Sequence, residues 1–254
     1  MSLCRKELDK FLKEILKPYE FQDYGPNGLQ IEGSETISKI AFAVSAQRHS
    51  IEEAVAQKAD CLIVHHGLFW KFHGTRAIKG SFAKRVKPLI QNDINLFGYH
   101  LPLDAHIEYG NAAAIAKRIG LTELKPFGDY KGCPTGVAGK FKAPLKPKDL
   151  IAKLEGVLDH NILHSRPNDN EISSMGIITG GANSEWRLCL RENLDAYLTG
   201  EMSEHDWHES REDDIHMFAG GHNATEQFGV QEIMKLVQER FSVECFFIPS
   251  ENPA

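Results

Sequence analysis

Two adjacent histidines close the apolar run Cys61-Leu-Ile-Val-His65-His66, and imidazole–carboxylate pairs recur at one spacing further along the chain. His100 precedes Asp104 in His100-Leu-Pro-Leu-Asp104, and His222 precedes Glu226 in His222-Asn-Ala-Thr-Glu226. Imidazole nitrogen and carboxylate oxygen together suit borderline divalent cations, and strand ends are where α/β folds place their chemistry. The set points to a metal site assembled from both halves. It contains no cysteine, which favours Zn, Mn, Fe, Co or Ni over an iron–sulfur cluster. Five or six candidate ligands exceed what one catalytic zinc commonly takes from protein. Two metals about 3.5–4 Å apart, sharing a bridging carboxylate, fit better.

Each group also has a plainer reading. Successive strand residues point to opposite faces, so His65 and His66 can serve one site only if the chain bends at Gly67; otherwise they are histidines hydrogen-bonded at a strand terminus. Pro102 makes 100–104 read as a loop. Asp104 in it either bridges metals, orients a ligating histidine, or caps the next helix. His222 and Glu226 share one helical face. Asn223 with Glu226 also fits an N-cap and its partner at the third helical position. Gly220-Gly221 permits close backbone approach. Glu201, in Thr199-Gly200-Glu201, and His100 are candidates for moving protons, with a carboxylate at a helix N-terminus as the plain reading of Glu201. His205 and His208 lie on a polar stretch and read as exposed. His73, His106, His160 and His164 form no usable pattern.

Elements to position these groups are legible in the periodicity. Leu8, Phe11, Leu12, Ile15 and Leu16 form one helical face that Pro18 ends. Residues 23–30 read as a turn-rich loop, Ile40–Val44 as a strand, and Ser50 with Glu53 as a capping box opening a helix over 51–58. A strand at 61–65, a helix near 81–91, a strand at 94–99 and a helix near 111–119 follow. The second half repeats this grammar, with strands at Met175–Thr179, Asp195–Thr199, Ile215–Ala219 and Val243–Ile248 and helices at Ser184–Asn193 and about 224–239. Alternation of this kind predicts an α/β fold with mostly parallel sheets. Ala59–His66 overlays Leu194–Glu201 at a shift of 135 (195 − 60), and Asn92–Phe97 overlays Asp213–Phe218 at 121 (213 − 92). One added residue near Gly220-Gly221 then sets His100 on His222 and Asp104 on Glu226. The expectation is two pseudo-repeated α/β lobes, 1–125 and 126–254, with the metal site between them and the C-terminal segment packing back on the first. The boundary is put in the proline-bearing stretch 125–150.

Bulk properties exclude several classes. The 254 residues are 42% hydrophobic and 25% charged, which describes an ordinary globular chain. A net charge of −6 gives no footprint for nucleic acid, although Lys and Arg are plentiful between 140 and 153. No run approaches the roughly 20 apolar residues that span a bilayer, and the charged N-terminus lacks the apolar core of a signal peptide. Cys4, Cys61, Cys133, Cys189 and Cys245 are scattered and odd in number, as expected of a cytoplasmic protein without disulfides. Phosphate-loop, dinucleotide and serine-hydrolase motifs are absent from the sequence.

Five longer segments carry a specific resemblance: Asp23-Tyr-Gly-Pro-Asn-Gly-Leu-Gln-Ile-Glu-Gly33, Ile63-Val-His-His-Gly-Leu-Phe-Trp70, Asp93-Ile-Asn-Leu-Phe-Gly-Tyr-His-Leu-Pro-Leu-Asp-Ala-His106, Thr199-Gly-Glu-Met-Ser-Glu204 and Ala219-Gly-Gly-His-Asn-Ala-Thr-Glu226. Along nearly its whole length the chain resembles the YbgI-like dinuclear-metal family, the GTP cyclohydrolase 1 type 2 homologues. The resemblance implies two divalent ions held by His65, His66, Asp104, His222 and Glu226, two interlinked lobes, and a homohexameric toroid. Asn223 departs from the family, where a second histidine often follows the matched one, but that position is not a ligand. The function so implied is metal-dependent hydrolysis of a small, nucleotide-like substrate, with GTP ring opening as the named case. The alternative is a non-enzymatic, metal-stabilised ring that binds a partner or single-stranded nucleic acid.

Overall fold

A computed structural model describes residues 2–254, and the chain divides into two compact units. The first runs to Leu103 and takes back Val230–Glu251; the second comprises Asp104–Gly229 with Asn252–Ala254. In chain order the first holds β1 (Leu3–Cys4), α1 (Arg5–Leu16), β2 (Gly28–Ile31), β3 (Thr36–Ile37), β4 (Lys39–Ser45), α2 (Arg48–Ala56), β5 (Cys61–His66), α3 (Gly80–Gln91) and β6 (Asn95–Gly98). One helical turn, α4 (Leu101–Asp104), follows. The second unit holds α5 (Asn111–Ile119), β7 (Leu121–Phe127), β8 (Gly136–Leu145), α6 (Pro147–Leu158), β9 (Leu163–Ser165), β10 (Ile172–Ile177), α7 (Arg187–Glu192), β11 (Ala196–Thr199), α8 (Glu204–Glu212), β12 (His216–Ala219) and α9 (His222–Thr225). Then α10 (Gln227–Phe241) leads to β13 (Glu244–Phe247), which joins the first unit's sheet beside β4.

The first sheet has the order β13-β4-β5-β6-β2, parallel except for β2. Parallel strands covered on both faces need apolar residues on both, and Ile40–Val44 and Cys61–Val64 supply them, all buried. Ile51 and Ala54 of α2 and Phe82, Val86 and Leu89 of α3 bury their apolar stripes in the same core. The second sheet, β7-β8-β10-β11-β12-β9, is parallel only at its centre, β10-β11-β12. The expected mostly parallel sheet thus describes the first unit; the hairpin β7–β8 and the strand β9 make the second mixed. Among the described residues no helix is long and apolar enough to cross a membrane.

Several local expectations meet different outcomes. The proline-bearing stretch 125–150 lies inside the second unit, which begins at Asp104 and not at residue 126. Two of its prolines occupy positions that tolerate them: Pro126 lies on the edge strand β7, and Pro147 opens α6. Gly28–Gln30 leaves the turn-rich loop to form β2, antiparallel to β6. Ser50 is the third residue of α2 and not its cap. Gln47 is the N-cap, and its amide donates to Ser50 Oγ at 3.1 Å. Residues 101–104 form a helical turn because Pro102 sits at the second position, where its missing N–H costs nothing.

The internal repeat is written into the backbone. Asp60 Oδ2 accepts from the amides of Ser38 and Lys39 at 2.7 and 3.0 Å, and Asp195 Oδ2 accepts from those of Ser173 and Ser174, both at 2.8 Å. Each carboxylate follows an αL residue, Lys58 or Asn193, and ties the start of one parallel strand to the start of the next.

Candidate metal centre

In the first unit, three imidazoles converge where β5 and β6 end. One ring nitrogen from each of His65, His66 and His100 lies within 4.8 Å of the others. Ring centroids are 4.5 Å apart for His65–His66, 5.1 Å for His65–His100 and 5.6 Å for His66–His100. His65 is fully buried, and its Nδ1–H donates to the Tyr99 carbonyl at 3.0 Å. That bond sets the tautomer and leaves the lone pair on Nε2, as for metal-binding histidines. His66 shares a hydrogen bond between Nδ1 and Ser45 Oγ at 3.0 Å. His100 Nδ1–H donates to Asp23 Oδ1 at 2.7 Å.

The loop before β2 exists to hold that last pair. Asp23, 4% exposed, also accepts from the Leu101 amide, the Asn27 side chain and the Tyr24 amide at 2.8, 2.9 and 2.6 Å. Burial pushes the Asp23 carboxyl up, but the bonds from His100, Asn27 and Leu101 outweigh it and keep the group below its ordinary value. Asn27 Oδ1 accepts the His100 amide at 2.8 Å, so backbone and ring are both fixed. The Trp70 ring stands edge-on to His100 with centroids 5.1 Å apart.

The second unit gathers a carboxylate-rich set. Asp104 is buried, and its Oδ1 accepts from Asn111 Nδ2 at 2.9 Å and Thr179 Oγ1 at 3.2 Å. It does not cap α5, whose N-cap is Gly110. His222 Nδ1 meets Glu201 Oε1 at 2.5 Å and its Nε2 lies 3.2 Å from Glu226 Oε2. The hydrogen bond to Glu226 is the chief cause that lifts the His222 pKa to about 9, with Glu201 adding to it and burial opposing. The pocket therefore stabilises positive charge. Asn223 with Glu226 forms no capping box: Gly221 is the N-cap of α9, and Glu226 sits in the break before α10.

Glycines make room for this set. A Cβ on Gly180 would collide with Glu226 Oε1, and the residue has φ +68°. A Cβ on Gly200 would lie 2.7 Å from both the His222 Cα and the Gly180 carbonyl. Glu201 belongs to no helix; it braces His222. His205 and His208 are exposed on α8, as expected. Asp23, Ser45, Asn111, Thr179 and Gly180 had no chemical signature in the sequence. The 135-residue shift applied to β4 would have found Ser45 and Gly180, which are equivalent strand ends.

The chain is similar to known proteins along almost its whole length. The model of the Duf34/NIF3 (NGG1p interacting factor 3) family matches residues 3–253. The GTP cyclohydrolase 1 type 2 homolog of Pasteurella multocida is 41% identical over 249 residues, covering 98% of each chain. That of Vibrio cholerae is 40% identical over 251 residues, covering 97% of this chain and 98% of its own. A solved structure described as protein ybgI, of unknown function, superposes with a TM-score of 0.91 at 37% identity and covers 99% of this chain and 100% of its own.

Proposed function

Because this chain belongs to the Duf34/NIF3 family, we propose that it is a metal-dependent hydrolase in which His65, His66, Asp104, His222 and Glu226 hold two divalent ions. The observation that carries the reading is the convergence of His65, His66 and His100 within 4.8 Å, with the His65 tautomer set by the Tyr99 carbonyl. The donors present fit the group: imidazole nitrogens from both units, and buried carboxylates from the second to balance cationic charge. Bound ions of this kind supply Lewis acidity toward an electrophilic carbon or phosphorus and make water easier to deprotonate.

The chain's own groups do the rest. Glu201 orients His222 through Nδ1, and Asn111 and Thr179 hold Asp104 in one rotamer. His100, backed by Asp23 on Nδ1, presents Nε2 as the group that accepts or returns a proton. The relatives' printed name supports a nucleotide as substrate, with hydrolytic opening of the GTP imidazole ring and loss of C8 as formate as the specific case. We further infer a homohexameric ring working in the cytoplasm, as the family resemblance implies.

Metal analysis of protein purified without chelator tests the centre. The expected result is close to two ions per chain, lost in His66→Ala with Glu226→Ala. Fewer than one ion after supplementation, or unchanged binding in that double variant, would overturn it. A nucleotide and phosphoester panel read by mass spectrometry then tests hydrolysis.

A further inference from the structure

Beside His66 the first unit opens a cleft of about 530 Å³, lined among others by Ser45, Arg48, Trp70, Lys84 and Arg85. Three cations around one cleft run against a chain of net charge −6. Arg48 Nε pairs with Glu52 at 2.6 Å, whereas Lys84 and Arg85 have no carboxylate partner among the described residues. They sit on α3, Gly-Ser-Phe-Ala-Lys-Arg-Val-Lys-Pro-Leu-Ile-Gln, which contains no acidic residue at all. Left alone, such a cluster repels itself; a dianion relieves it. The starts of two helices add to the same field, since Gln47 caps α2 and Ser81 is the second residue of α3, and both line the cleft.

One wall is aromatic. Trp70 lines the cleft and stacks on Phe72, with centroids 5.6 Å apart and planes 19° apart. The Trp70 Nε1–H is committed to the Gly67 carbonyl at 3.1 Å, which fixes the indole in place. A fixed indole facing a cationic cleft suits a ligand with a planar ring at one end and concentrated negative charge at the other. The volume suits a mononucleotide-sized molecule.

We propose that this cleft binds the phosphate of a small aromatic phosphate ester, through Arg48, Lys84 and Arg85, with the ring against Trp70. His66 lines the same cleft, so the bound ester lies next to the candidate metal ligands. The inference deepens the proposed function and rests on it for what is done to the ester; the binding itself needs only the basic side chains. A ring-bearing ester is favoured over a nucleic-acid strand, because the three basic side chains and the indole line one cleft of mononucleotide size.

Calorimetric titration of the full chain with guanosine 5′-monophosphate, guanosine, inorganic phosphate and a short oligothymidylate tests this, in chelator-stripped and in metal-supplemented protein. The monophosphate should bind stripped protein, more tightly than guanosine or phosphate alone. Lys84→Ala with Arg85→Ala should weaken it about tenfold or more, Arg85→Lys should retain it, and Lys87→Ala, on α3 but outside the cleft, should leave it unchanged. Circular dichroism and metal content should match the parent in all three. Equal affinity in the double alanine variant, no binding to stripped protein up to about 5 mM, or tighter binding of the oligothymidylate would each overturn the proposal. Monophosphate binding that survives in a protein unable to take up metal would sink the metal reading and leave this one standing.

Discussion

Four strands of one sheet match four of the other in order and direction: β4-β5-β6-β2 and β10-β11-β12-β9. Ile40 pairs with Cys61 and Cys61 with Asn95 in the first; Met175 pairs with Ala196 and Ala196 with His216 in the second, offset by 135 and 121 residues. The turns agree as well. The Ala59 amide bonds to the Ala54 carbonyl as Leu194 does to Cys189, and Ile94 bonds to Leu89 as Ile215 does to Ser210. The outer neighbour differs: β13 lies parallel to β4, whereas β8 runs antiparallel to β10. The strand ends differ most. Ser45, His65 and His66 stand where the second unit has Gly180, Gly200 and Glu201. One scaffold is thus used twice with its donors divided, imidazole-rich in the first copy and carboxylate-rich in the second.

The largest expected effect tests that division. His100 and His222 occupy equivalent places, and each is braced through Nδ1 by a carboxylate, Asp23 or Glu201. The proposed ligand set nevertheless includes His222 and omits His100. Glu226→Ala and His222→Ala should each lower metal affinity by more than about 100-fold, and His100→Ala by about tenfold while abolishing turnover. Competition with a chromogenic chelator measures both. A loss in His100→Ala as deep as in His222→Ala would make the two imidazoles equal ligands and the division false.

Next comes room at the strand ends. Ser45 uses its hydroxyl to hold His66, while Gly180, at φ +68°, has no side chain, and Glu226 fills the space that one would take. Exchanging the residues separates the copies. Gly180→Ser should cost about 2–4 kcal/mol from the clash and the φ strain, and Ser45→Gly about 0.5–1.5 kcal/mol from one lost bond and added chain freedom. Urea denaturation of the two variants gives the comparison. Equal costs would show that the Gly180–Glu226 contact is not constraining.

How much of this was legible follows from where the signals are local. Parallel strands buried on both faces announce themselves as apolar runs, so β4, β5, β10, β11 and β12 were found within a few residues. The His–carboxylate spacing is likewise a local signal, and it singles out His100 with Asp104 and His222 with Glu226. Asp23 was hidden, because its role comes from a bond to His100, 77 residues away. The same is true of Asn111, whose side chain joins Asp104 to the Gly229 amide, and of β2, whose partner β6 supplies the pairing that turn residues conceal. Prolines mark breaks in local structure, not unit boundaries: here Pro126 lies on an edge strand, Pro144 near the end of β8 and Pro147 at a helix start, all inside the second unit. A smaller prediction checks the repeat itself: Asp60→Ala and Asp195→Ala should lose similar stability, about 1–3 kcal/mol each, and a difference larger than that range would mean the two brackets are not equivalent.

The smallest effect concerns a position where the copies differ in titration. Asn95, in β6, bonds the Gly33 amide and the Ser34 carbonyl and carries no ionisable group; its counterpart in β12 is His216. His216 Nε2–H donates to Asn168 Oδ1 at 3.1 Å, so its Nδ1 accepts from His164 Nε2 at 3.2 Å. The His164 ring stacks on Phe218 with centroids 4.3 Å apart. Burial first, then the charges of His216, Arg166 and Arg211, holds the His164 pKa at about 4, and burial lowers His216 as well. A histidine whose folded pKa lies below its unfolded value of 6.5 binds fewer protons when folded, so stability is lost as pH falls from 6.5 toward about 4. His222, raised to about 9, works in the other direction, its contribution fading as pH rises from 6.5 toward about 9. The low Asp23 value acts only below 3.8. Subtracting a His164→Gln, His216→Asn variant from the parent cancels both, since Gln keeps the donor and Asn copies the first unit. The parent's melting temperature should fall by roughly 2–5 °C more than the variant's between pH 7 and pH 5. Parallel curves would mean that the second copy is no more acid-sensitive than the first.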